Sequence, residues 1–558
     1  MLGHIFRRPK ISPPANLPAR VNPSAEAAIS PSPAPSAPVS PVESRDPNSY
    51  VVGIDLGTTY SAIAHIDKFG KPIIIKNSDG LNTTPSVVYV ETPLFVVGEV
   101  ALQSTLSDPE HVIQFIKRFM GVANYRVSIA GQEFSPEMVS SLIIRKLVQE
   151  AEVSLDGTVK EAVITVPAHF TEAQRQATYE AAQLAGLKVL RIISEPTAAA
   201  LYLGMNQRSA NTRILVYDLG GGTFDVTILE VKGQELNVIA VGGDSHLGGK
   251  DFDERIMNFV ENELRAMHGD NLHNDALFEA ELRLKTEIAK RQLTGRAATP
   301  ITIKAKKVIE GPNGKSETYI PARVELTREK FEEITADLLS RTEMLVNNVL
   351  YKAHLTWDDV GDVLLVGGSS RMPMVREMLT RVTGKRPQMQ DPDECVALGA
   401  ALQAGILAGS EGIEAVEISH VLSHSLGVLT LKGDKMAIDH CIPALTPLPF
   451  AYTQDNYTTT EDDQTCVEIS IFEGDSTDPD AYANGPIGVF ELDSSPPRPK
   501  GHPQISVEFR CDENGRVTAF AKDLETGHIN RTFVTLHSTR TDAQKEAELR
   551  ILSEAIIS

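Results

Sequence analysis

Two segments of the sequence place an aspartate at the end of an apolar strand and follow it with glycine and threonine. Residues 51–63 read VVGIDLGTTYSAI, and residues 214–228 read ILVYDLGGGTFDVTI. Each pattern predicts a buried strand, a tight turn of small residues and a second strand. Backbone N–H groups in such a turn can bind phosphate oxygens, and a carboxylate at the strand end can hold hydrated Mg²⁺. These residue types therefore indicate a site for a triphosphate tail.

Each turn can be interpreted as an ordinary β-hairpin or as a phosphate-binding turn, and the repetition of the pattern favours the second interpretation. A single turn of this kind is about as often an ordinary β-hairpin without a ligand. In the first segment, Gly57 lets the backbone come close to a ligand, and Thr58 and Thr59 add N–H and hydroxyl donors beside Asp55. Because the second segment repeats Asp-Leu-Gly from Asp218, we expect two related lobes that close on ATP.

Other nucleotide-binding patterns fail in this sequence. The triplet at residues 314–316 lacks the first glycine of a P-loop because Ile309 stands in that place, and residues 312–314 predict a hairpin turn instead. No G-x-G-x-x-G pattern follows a predicted strand and opens a helix, so a dinucleotide-binding fold is not indicated.

Two predicted helices are rich in small residues, at residues 195–204 and 393–404. Alanines 198–200 in the first, and Gly399 between alanines in the second, would let two helices cross closely, as at a hinge between lobes. Plain core packing explains the same composition equally well, so both interpretations stay open.

Composition limits the class of protein. Of the 558 residues, 74 are acidic and 53 basic, so the net charge of −21 disfavours nucleic acid and anionic lipid surfaces as partners. No apolar run approaches the ~20 residues that span a bilayer. The four cysteines lack C-x-x-C spacing and predict reduced thiols in the cytoplasm.

The elements that position these motifs fall into successive regions. Residues 1–48 are rich in Pro, Ala and Ser and predict a disordered arm, with no apolar segment of a secretory signal after the basic start. Residues 49–409 alternate strands with helices, such as a helix at 331–354, and predict an α/β domain. After a linker at 410–421, residues 422–538 predict an all-β domain, and residues 539–558 a short helix packed on it.

Further motifs accompany the two aspartate segments: IKRFMG, AVITVPAHF, RIISEPTAAALYLG, GGDSHLGGKDFD, EIAKRQLT, LLVGGSSRMP and DPDECVALGAALQ. With them, about residues 50–538 resemble the seventy-kilodalton heat-shock chaperone family of DnaK type. The resemblance implies a two-lobed actin-like ATPase domain followed by a β-sandwich that binds peptides. It also implies slow hydrolysis of ATP to ADP with Mg²⁺, with K⁺ as a further ion. The partners would be unfolded or extended hydrophobic polypeptides, a J-domain co-chaperone and a nucleotide exchange factor, in the cytoplasm.

The resemblance also assigns roles to individual residues. The catalytic set would be Asp55, Lys117, Glu195, Asp218 and Thr223, with Asp55 and Asp218 holding Mg²⁺ through water. The nucleotide would contact Gly57, Thr58, Thr59, Tyr60, Gly220, Gly221, Gly222, Glu287, Lys290, Arg291, Thr294, Gly367, Gly368, Ser369, Arg371 and Asp393. In the β-sandwich, a peptide groove would be lined by Leu426, Val428, Phe450, Val467 and Ile469, unless these side chains merely fill its core.

The sequence departs from the family pattern in places that affect coupling between the domains. Glu417 stands in the linker and would charge a surface expected to be buried, and the long helical lid that follows the sandwich in the family is not expected. At the J-protein position of Arg191, Ser194 and His420 replace the usual Asn and Asp. Two functions therefore stay open: a divergent ATP-dependent chaperone, or a nucleotide-dependent regulatory or scaffold protein with uncoupled domains and one fixed partner.

Overall fold

The computed structural model describes residues 5–7, 48–204, 211–269, 272–273, 275–311, 314–482, 485–493, 496–512, 515, 517–533 and 542–558. Most of the Pro-rich arm and part of the predicted turn at 312–314 lie outside these residues. Within these ranges, no helix combines the length and the apolar character that a bilayer crossing needs.

The first α/β region surrounds the segment that carries Asp55. After strand β1 (Ile5–Arg7), its elements are β2 (Ser49–Asp55), β3 (Tyr60–Ile66), β4 (Pro72–Ile74), β5 (Thr84–Pro85), β6 (Val88–Glu91), β7 (Leu94–Val97), α1 (Glu99–Ser104), β8 (Val112–Ile113), β9 (Val127–Ile129), β10 (Gln132–Phe134), α2 (Pro136–Leu155), β11 (Thr158–Val166), α3 (Glu172–Leu184), β12 (Lys188–Ser194) and α4 (Glu195–Gly204). Its main sheet has the order β12-β11-β2-β3-β4. The predicted hairpin is confirmed, because β2 and β3 pair antiparallel with Asp55 opposite Ala62.

The second α/β region surrounds the segment that carries Asp218. Its elements are β13 (Thr212–Leu219), β14 (Phe224–Lys232), β15 (Glu235–Asp244), α5 (Gly249–His268), β16 (Leu272–His273), α6 (Ala276–Leu293), β17 (Ala298–Gly311), β18 (Gly314–Thr327), α7 (Arg328–Ile334), α8 (Ala336–Lys352), β19 (Asp362–Val366), α9 (Pro373–Thr383), β20 (Gln388–Met389) and α10 (Cys395–Ala408). β13 and β14 form the second predicted hairpin, with Asp218 opposite Asp225.

The helix predicted at residues 331–354 is instead two helices, α7 and α8. The chain leaves the helical conformation at Thr335, where φ is −118° and ψ is 6°. The Thr335 hydroxyl donates a hydrogen bond of 2.7 Å to the carbonyl of Phe331, four residues earlier, and this kind of local bond often bends a helix.

The all-β region follows, as predicted. After strand β21 (Glu417–Ser419) of the linker, its elements are β22 (Leu426–Lys432), β23 (Lys435–Ile442), β24 (Phe450–Thr458), β25 (Cys466–Glu473), β26 (Gly488–Asp493), β27 (Gln504–Cys511), β28 (Val517–Asp523) and β29 (Ile529–Phe533). Strands β22 to β29 form one nine-stranded sheet together with β1, around a shared core. Leu426, Val428, Val467 and Ile469 are at most 1% exposed in that core. For these four side chains, the core interpretation is therefore favoured over the groove.

The linker docks on the second α/β region as strand β21. It pairs parallel with the edge strand β15, and Ile418 lies opposite Leu236. Val416 and Ile418 are half-buried against the core of this region, while Glu417 is exposed. Because successive side chains of a strand point to opposite faces, the Glu417 charge stays in water. The prediction that Glu417 would charge a buried surface is wrong.

The C-terminal segment consists of helix α11 (Asp542–Glu554) and strand β30 (Ile556–Ile557). It was expected to pack on the all-β region, and this prediction is wrong. Leu552 is 2% exposed within the core of the first α/β region, and β30 pairs parallel with edge strand β7. The helix therefore docks where it finds both an apolar surface and a free strand edge.

The two helices rich in small residues, α4 and α10, cross closely, as predicted. A Cβ atom added at Gly399 of α10 would stand 1.8 Å from the carbonyl oxygen of Ala198 in α4. A Cβ atom at Gly53 of β2 would likewise stand 2.0 Å from the backbone nitrogen of Ala401. Only glycine fits at these two positions, so α10 lies directly against α4 and β2.

Candidate functional site

A cavity of about 540 Å³ lies between the turn after Asp55 and the turn after Asp218. All the predicted site residues line it except Gly222, which packs against the Thr58 side chain. They are Asp55, Gly57, Thr58, Thr59, Tyr60, Lys117, Glu195, Asp218, Gly220, Gly221, Thr223, Glu287, Lys290, Arg291, Thr294, Gly367, Gly368, Ser369, Arg371 and Asp393. The structure thus brings together residues that are up to 338 positions apart in the chain.

The two turns that border this cavity also contact each other. A Cβ atom at Gly221 would stand 2.2 Å from the hydroxyl oxygen of Thr59, and one at Gly222 would stand 2.4 Å from the methyl carbon of Thr58. The glycines of the second turn therefore leave room for the threonines of the first. This close approach places N–H groups and hydroxyls of both turns around one small volume.

Lys117 and Glu195 form a buried ion pair at the cavity, with 2.5 Å between Nζ and Oε1. Lys117 lies on the 3-10 turn Ile116–Phe119, and Glu195 is the first residue of α4. Burial raises the pKa of Glu195 to about 7, against the opposing effect of the Lys117 ammonium. Although burial opposes its charge, the carboxylates of Glu195 and Asp55 raise the pKa of Lys117. Lys117 therefore stays cationic beside a carboxyl that can exchange a proton near neutral pH.

Asp55 and Asp218 end their strands at the same cavity. Burial raises the pKa of both carboxyls, and the effect on Asp218 is reinforced by Glu195 and Asp225. The Thr165 hydroxyl donates to Asp55 Oδ1 at 3.1 Å and fixes its orientation. Several acidic groups thus share a buried volume with Lys117, and a bound cation would relieve their repulsion. Carboxylate oxygens are the ligands that Mg²⁺ prefers, so the residues present fit this ion.

Arg118 is a site residue that the sequence reasoning missed. Its Nε donates to the carbonyl of Gly222 at 3.0 Å, and its guanidinium makes a two-pronged contact with Asp251 of α5. Asp251 in turn accepts from the N–H of Gly248 at 2.7 Å. Arg118 therefore fixes the second turn from behind. Its position next to Lys117 in IKRFMG was the only signal in the sequence.

His169 and Asp225 form a second missed pair, with 2.7 Å between Nδ1 and Oδ1. Although burial opposes the charge, Asp225 raises the pKa of His169. His169 Nε2 and Asp225 Oδ2 are buried without a hydrogen-bond partner among the described residues. Neither residue lines the cavity, and a buried water beside the pair would satisfy these two atoms.

The predicted adenosine residues on α6 lie on one face, as their spacing indicated. Glu287 and Arg291 pair at 2.7 Å, and the Arg291 guanidinium lies 5.1 Å from the ring centre of Tyr60. Lys290 is held differently, because its ammonium donates to Asp253 at 2.8 Å and to the Gly249 carbonyl at 2.9 Å. Lys290 thus ties α6 to the start of α5 while it lines the cavity.

The opposite wall is the glycine-rich turn after β19. Arg371 and Asp393 pair across it, with 2.6 Å between Nη2 and Oδ2. Gly367 has a φ of +79°, and a Cβ atom there would stand 2.5 Å from Asp218 Oδ1. Glycine is therefore required where this turn meets the carboxylate. Arg291 of the first wall and Arg371 of the second both line the cavity.

Comparisons with known proteins extend over the same regions. The family profile described as Hsp70 protein matches residues 51–126 and 122–555. The chain is also similar to the chaperone protein DnaK of Thermosipho melanesiensis, with 42% identity over 483 residues. That match covers 86% of this chain and 79% of the relative. The residues matched by the family profile include both aspartate turns, the cavity walls, the linker and the β-sandwich.

Proposed function

The chain belongs to the Hsp70 family, and on that premise we propose how its parts carry out the work of an ATP-dependent chaperone. Members of this family are ATPases. ATP binds in the cavity between the two aspartate turns, and its hydrolysis changes the affinity of the β-sandwich for extended apolar polypeptide segments. The observation that carries this proposal is the buried Lys117–Glu195 pair beside Asp55 and Asp218 in that cavity.

The domain boundaries in this proposal follow the sequence prediction. Residues 49–409 form a two-lobed actin-like ATPase domain, 410–421 the linker and 422–538 the peptide-binding sandwich. The close crossing of α4 and α10 supports a hinge between the two lobes, since two helices without intervening side chains can rotate against each other. The unfolded polypeptides, J-domain co-chaperone and exchange factor are the expected partners, in the cytoplasm.

The phosphate end of the nucleotide is bound by both turns. Thr58, Thr59, Gly221 and Thr223 donate N–H and hydroxyl groups to phosphate oxygens, and Asp55 and Asp218 hold Mg²⁺ through water. Mg²⁺ held by these two carboxylates would supply positive charge to the phosphates, and K⁺ would be a further cation of the site. Lys117 remains charged throughout and stabilises the γ-phosphate, because its pKa is raised by the carboxylates around it.

Glu195 has the properties of a group that orients and deprotonates an attacking water. With its pKa raised to about 7, it is close to the value that suits a general base at neutral pH. Lys117, at 2.5 Å, fixes the carboxylate in one orientation. Positioning and electrostatic stabilisation supply most of the catalysis in phosphoryl transfer, and both are built into this pair.

Contacts between the domains support coupling rather than the uncoupled scaffold. The Ser423 hydroxyl donates to the Ala168 carbonyl at 2.9 Å, and the N–H of Glu172 donates to Glu473 at 2.8 Å. Ala168 and Glu172 lie on either side of His169 in the chain, and His169 is bonded to Asp225 of the second hairpin. A change at the phosphate site can therefore reach the sandwich through directly bonded residues. With Glu417 exposed, one of the two observations that favoured an uncoupled scaffold no longer applies, while the other, that no long helical lid is expected after the sandwich, still favours it.

The catalytic assignment is tested with Thr223→Ala and Lys117→Ala. We expect both variants to bind ATP with an affinity close to that of the wild type. In single turnover, Lys117→Ala should lower the rate of hydrolysis by about 10²–10³-fold, the usual cost of losing a preorganised electrostatic contact. Unchanged single-turnover rates in both variants would refute the assignment. A saturating extended apolar peptide should accelerate hydrolysis several-fold, and no acceleration would favour the scaffold function.

A further inference from the structure

Strands β22 and β24 of the sandwich are not hydrogen-bonded to each other. In the sheet order β26-β25-β22-β1-β24-β27-β28-β29, the part of the chain that the structure describes joins them only through β1, residues 5–7. The space between them is therefore a slot one strand wide, which spans about 10 Å between the two backbones. Its present occupant comes from a distant part of the same chain.

The pairing register defines the slot. Ile5 and Phe6 pair parallel with Thr430 and Leu431 of β22. On the other side, Phe6 and Arg7 pair antiparallel with Thr458 and Tyr457 of β24. We call this space, bounded by residues 430–431 and 457–458, the strand slot.

The remaining edges of both walls are already paired. β23 pairs along one edge of β22, and β25 pairs with the other edge only at residues 426–428. β24 pairs with β27 on the edge away from the slot. Unpaired N–H and C=O groups of a strand edge recruit any extended chain that fits, largely through main-chain bonds. The strand slot therefore suits an extended peptide of broad sequence.

The walls of the slot are fixed in place. Thr430, Tyr457 and Thr458 are buried. The Tyr457 hydroxyl donates to Asp439 at 3.2 Å and lies 3.0 Å from the Cys441 sulfur, both on β23. Strands β24 and β23 are thereby cross-linked beneath the slot. A slot with rigid walls loses little entropy when a strand enters it.

We propose that residues 5–7 are a resident, displaceable occupant of the strand slot, which regulates the access of external extended polypeptides to the sandwich. The proposal rests on the proposed chaperone function and concerns how peptide binding by the sandwich is regulated. An external extended peptide enters by replacing β1. Residues 5–7 therefore compete with every client for the slot.

Chain length and charge permit this arrangement. About 40 residues separate Arg7 from Asn48, with a maximum contour of roughly 130 Å. The first ten residues, MLGHIFRRPK, carry three Lys or Arg and no acidic residue. Residues 421–533 carry 18 Asp and Glu against 8 Lys and Arg. The basic N-terminal segment is therefore attracted to the acidic sandwich, and the tether raises its local concentration to roughly 0.1–1 mM.

The competition predicts a defined effect on client affinity. If residues 5–7 bind with a dissociation constant on the order of 0.1 mM, a local concentration of up to roughly 1 mM weakens external peptides about tenfold. Disrupting β1 should remove this penalty. Proline at position 6 eliminates the amide of the central residue of β1 and is excluded from the middle of a sheet.

The experiment compares the full chain with its Phe6→Pro variant and with Ala27→Pro, a matched control elsewhere in the arm. The probes are a fluorescein-labelled MLGHIFRRPK peptide and a Leu/Val-rich heptapeptide flanked by arginines, measured by fluorescence anisotropy. We expect Phe6→Pro to bind both about tenfold more tightly than the wild type and Ala27→Pro to match the wild type. Hydrogen exchange at residues 429–432 and 456–458 should be faster in Phe6→Pro.

Equal affinities and equal exchange in the three proteins would overturn the proposal while leaving peptide binding intact. If no protein binds either peptide, the proposed chaperone function fails. In that case, hydrogen exchange alone decides whether β1 occupies the slot: faster exchange in Phe6→Pro supports it, and unchanged exchange overturns it. ATP binding in all three proteins serves as the control for folding.

Discussion

Ile418 and Glu417 are neighbours on the docked linker strand β21. Substituting each of them in turn separates the effect of docking from that of charge. Ile418 lies opposite Leu236 and is half-buried against the core of the second α/β region, whereas Glu417 is exposed. We expect Ile418→Asp to release β21 from β15. Glu417→Gln, which removes a charge from the exposed face, should leave it docked.

The expected magnitude follows from burial and pairing. A fully buried isoleucine contributes about 1.5–3 kcal/mol, so a half-buried one contributes about 1 kcal/mol. A carboxylate in its place adds a desolvation cost of about 1–3 kcal/mol. The total of about 2–4 kcal/mol equals or exceeds the ~1–3 kcal/mol that allosteric coupling between sites usually carries. Ile418→Asp should therefore abolish the coupling between peptide and ATP.

The assay is single-turnover ATP hydrolysis with and without saturating extended apolar peptide. The wild type and Glu417→Gln should show the same several-fold acceleration, and Ile418→Asp should show none, with ATP affinity unchanged. Full acceleration in Ile418→Asp, or its loss in Glu417→Gln, would refute the assignment of coupling to the docked strand.

Three further predictions concern the site and the C-terminal segment. Burial raises the pKa of Asp218 well above its ordinary value of 3.8. The folded chain therefore loses stability as the pH rises from 3.8 through the raised pKa, because the buried carboxyl must then lose its proton. Asp218→Asn should therefore melt above the nucleotide-free wild type at pH 8 and by a smaller margin at pH 5; a lower melting temperature at pH 8 would contradict this. Arg118→Lys keeps the charge but cannot hold both the Gly222 carbonyl and the carboxylate behind it, and should slow single-turnover hydrolysis about tenfold; an unchanged rate would remove Arg118 from the site. Leu552→Asp should detach α11 and speed hydrogen exchange in β7, whereas Leu549→Asp, at a position 50% exposed, should not; equal exchange in both variants would show that Leu552 does not hold the helix.

The sequence predicted correctly those features that depend on residues close together in the chain. Both hairpins follow from strand and turn residues that are adjacent in the chain, and the face of α6 follows from helical spacing. The exposure of Glu417 was also readable, since Val416 and Ile418 flank it with the period of a strand. The error came from treating the linker as a uniformly buried surface.

What the sequence did not reveal depends on contacts between distant residues. Arg118 reaches Gly222 across 104 positions, and nothing near either residue indicates the bond. Helix α11 is amphipathic, but its pattern could not tell which apolar surface it would cover, because an edge strand such as β7 accepts a partner by main-chain bonds alone. The strand β1 was missed for the same reason.

The docking of the last residues on β7 also bears on how the protein fails under stress. Residues 94–97 read LFVV, and the N–H of Val97 donates to the Ser558 carbonyl while that of Ser558 donates to Phe95, both at 3.0 Å. When this segment lifts, an apolar strand edge is uncovered while both aspartate turns remain in place. Such an edge pairs readily with the same edge of another molecule. We therefore expect mild heating to produce self-association of the chaperone before nucleotide binding is lost.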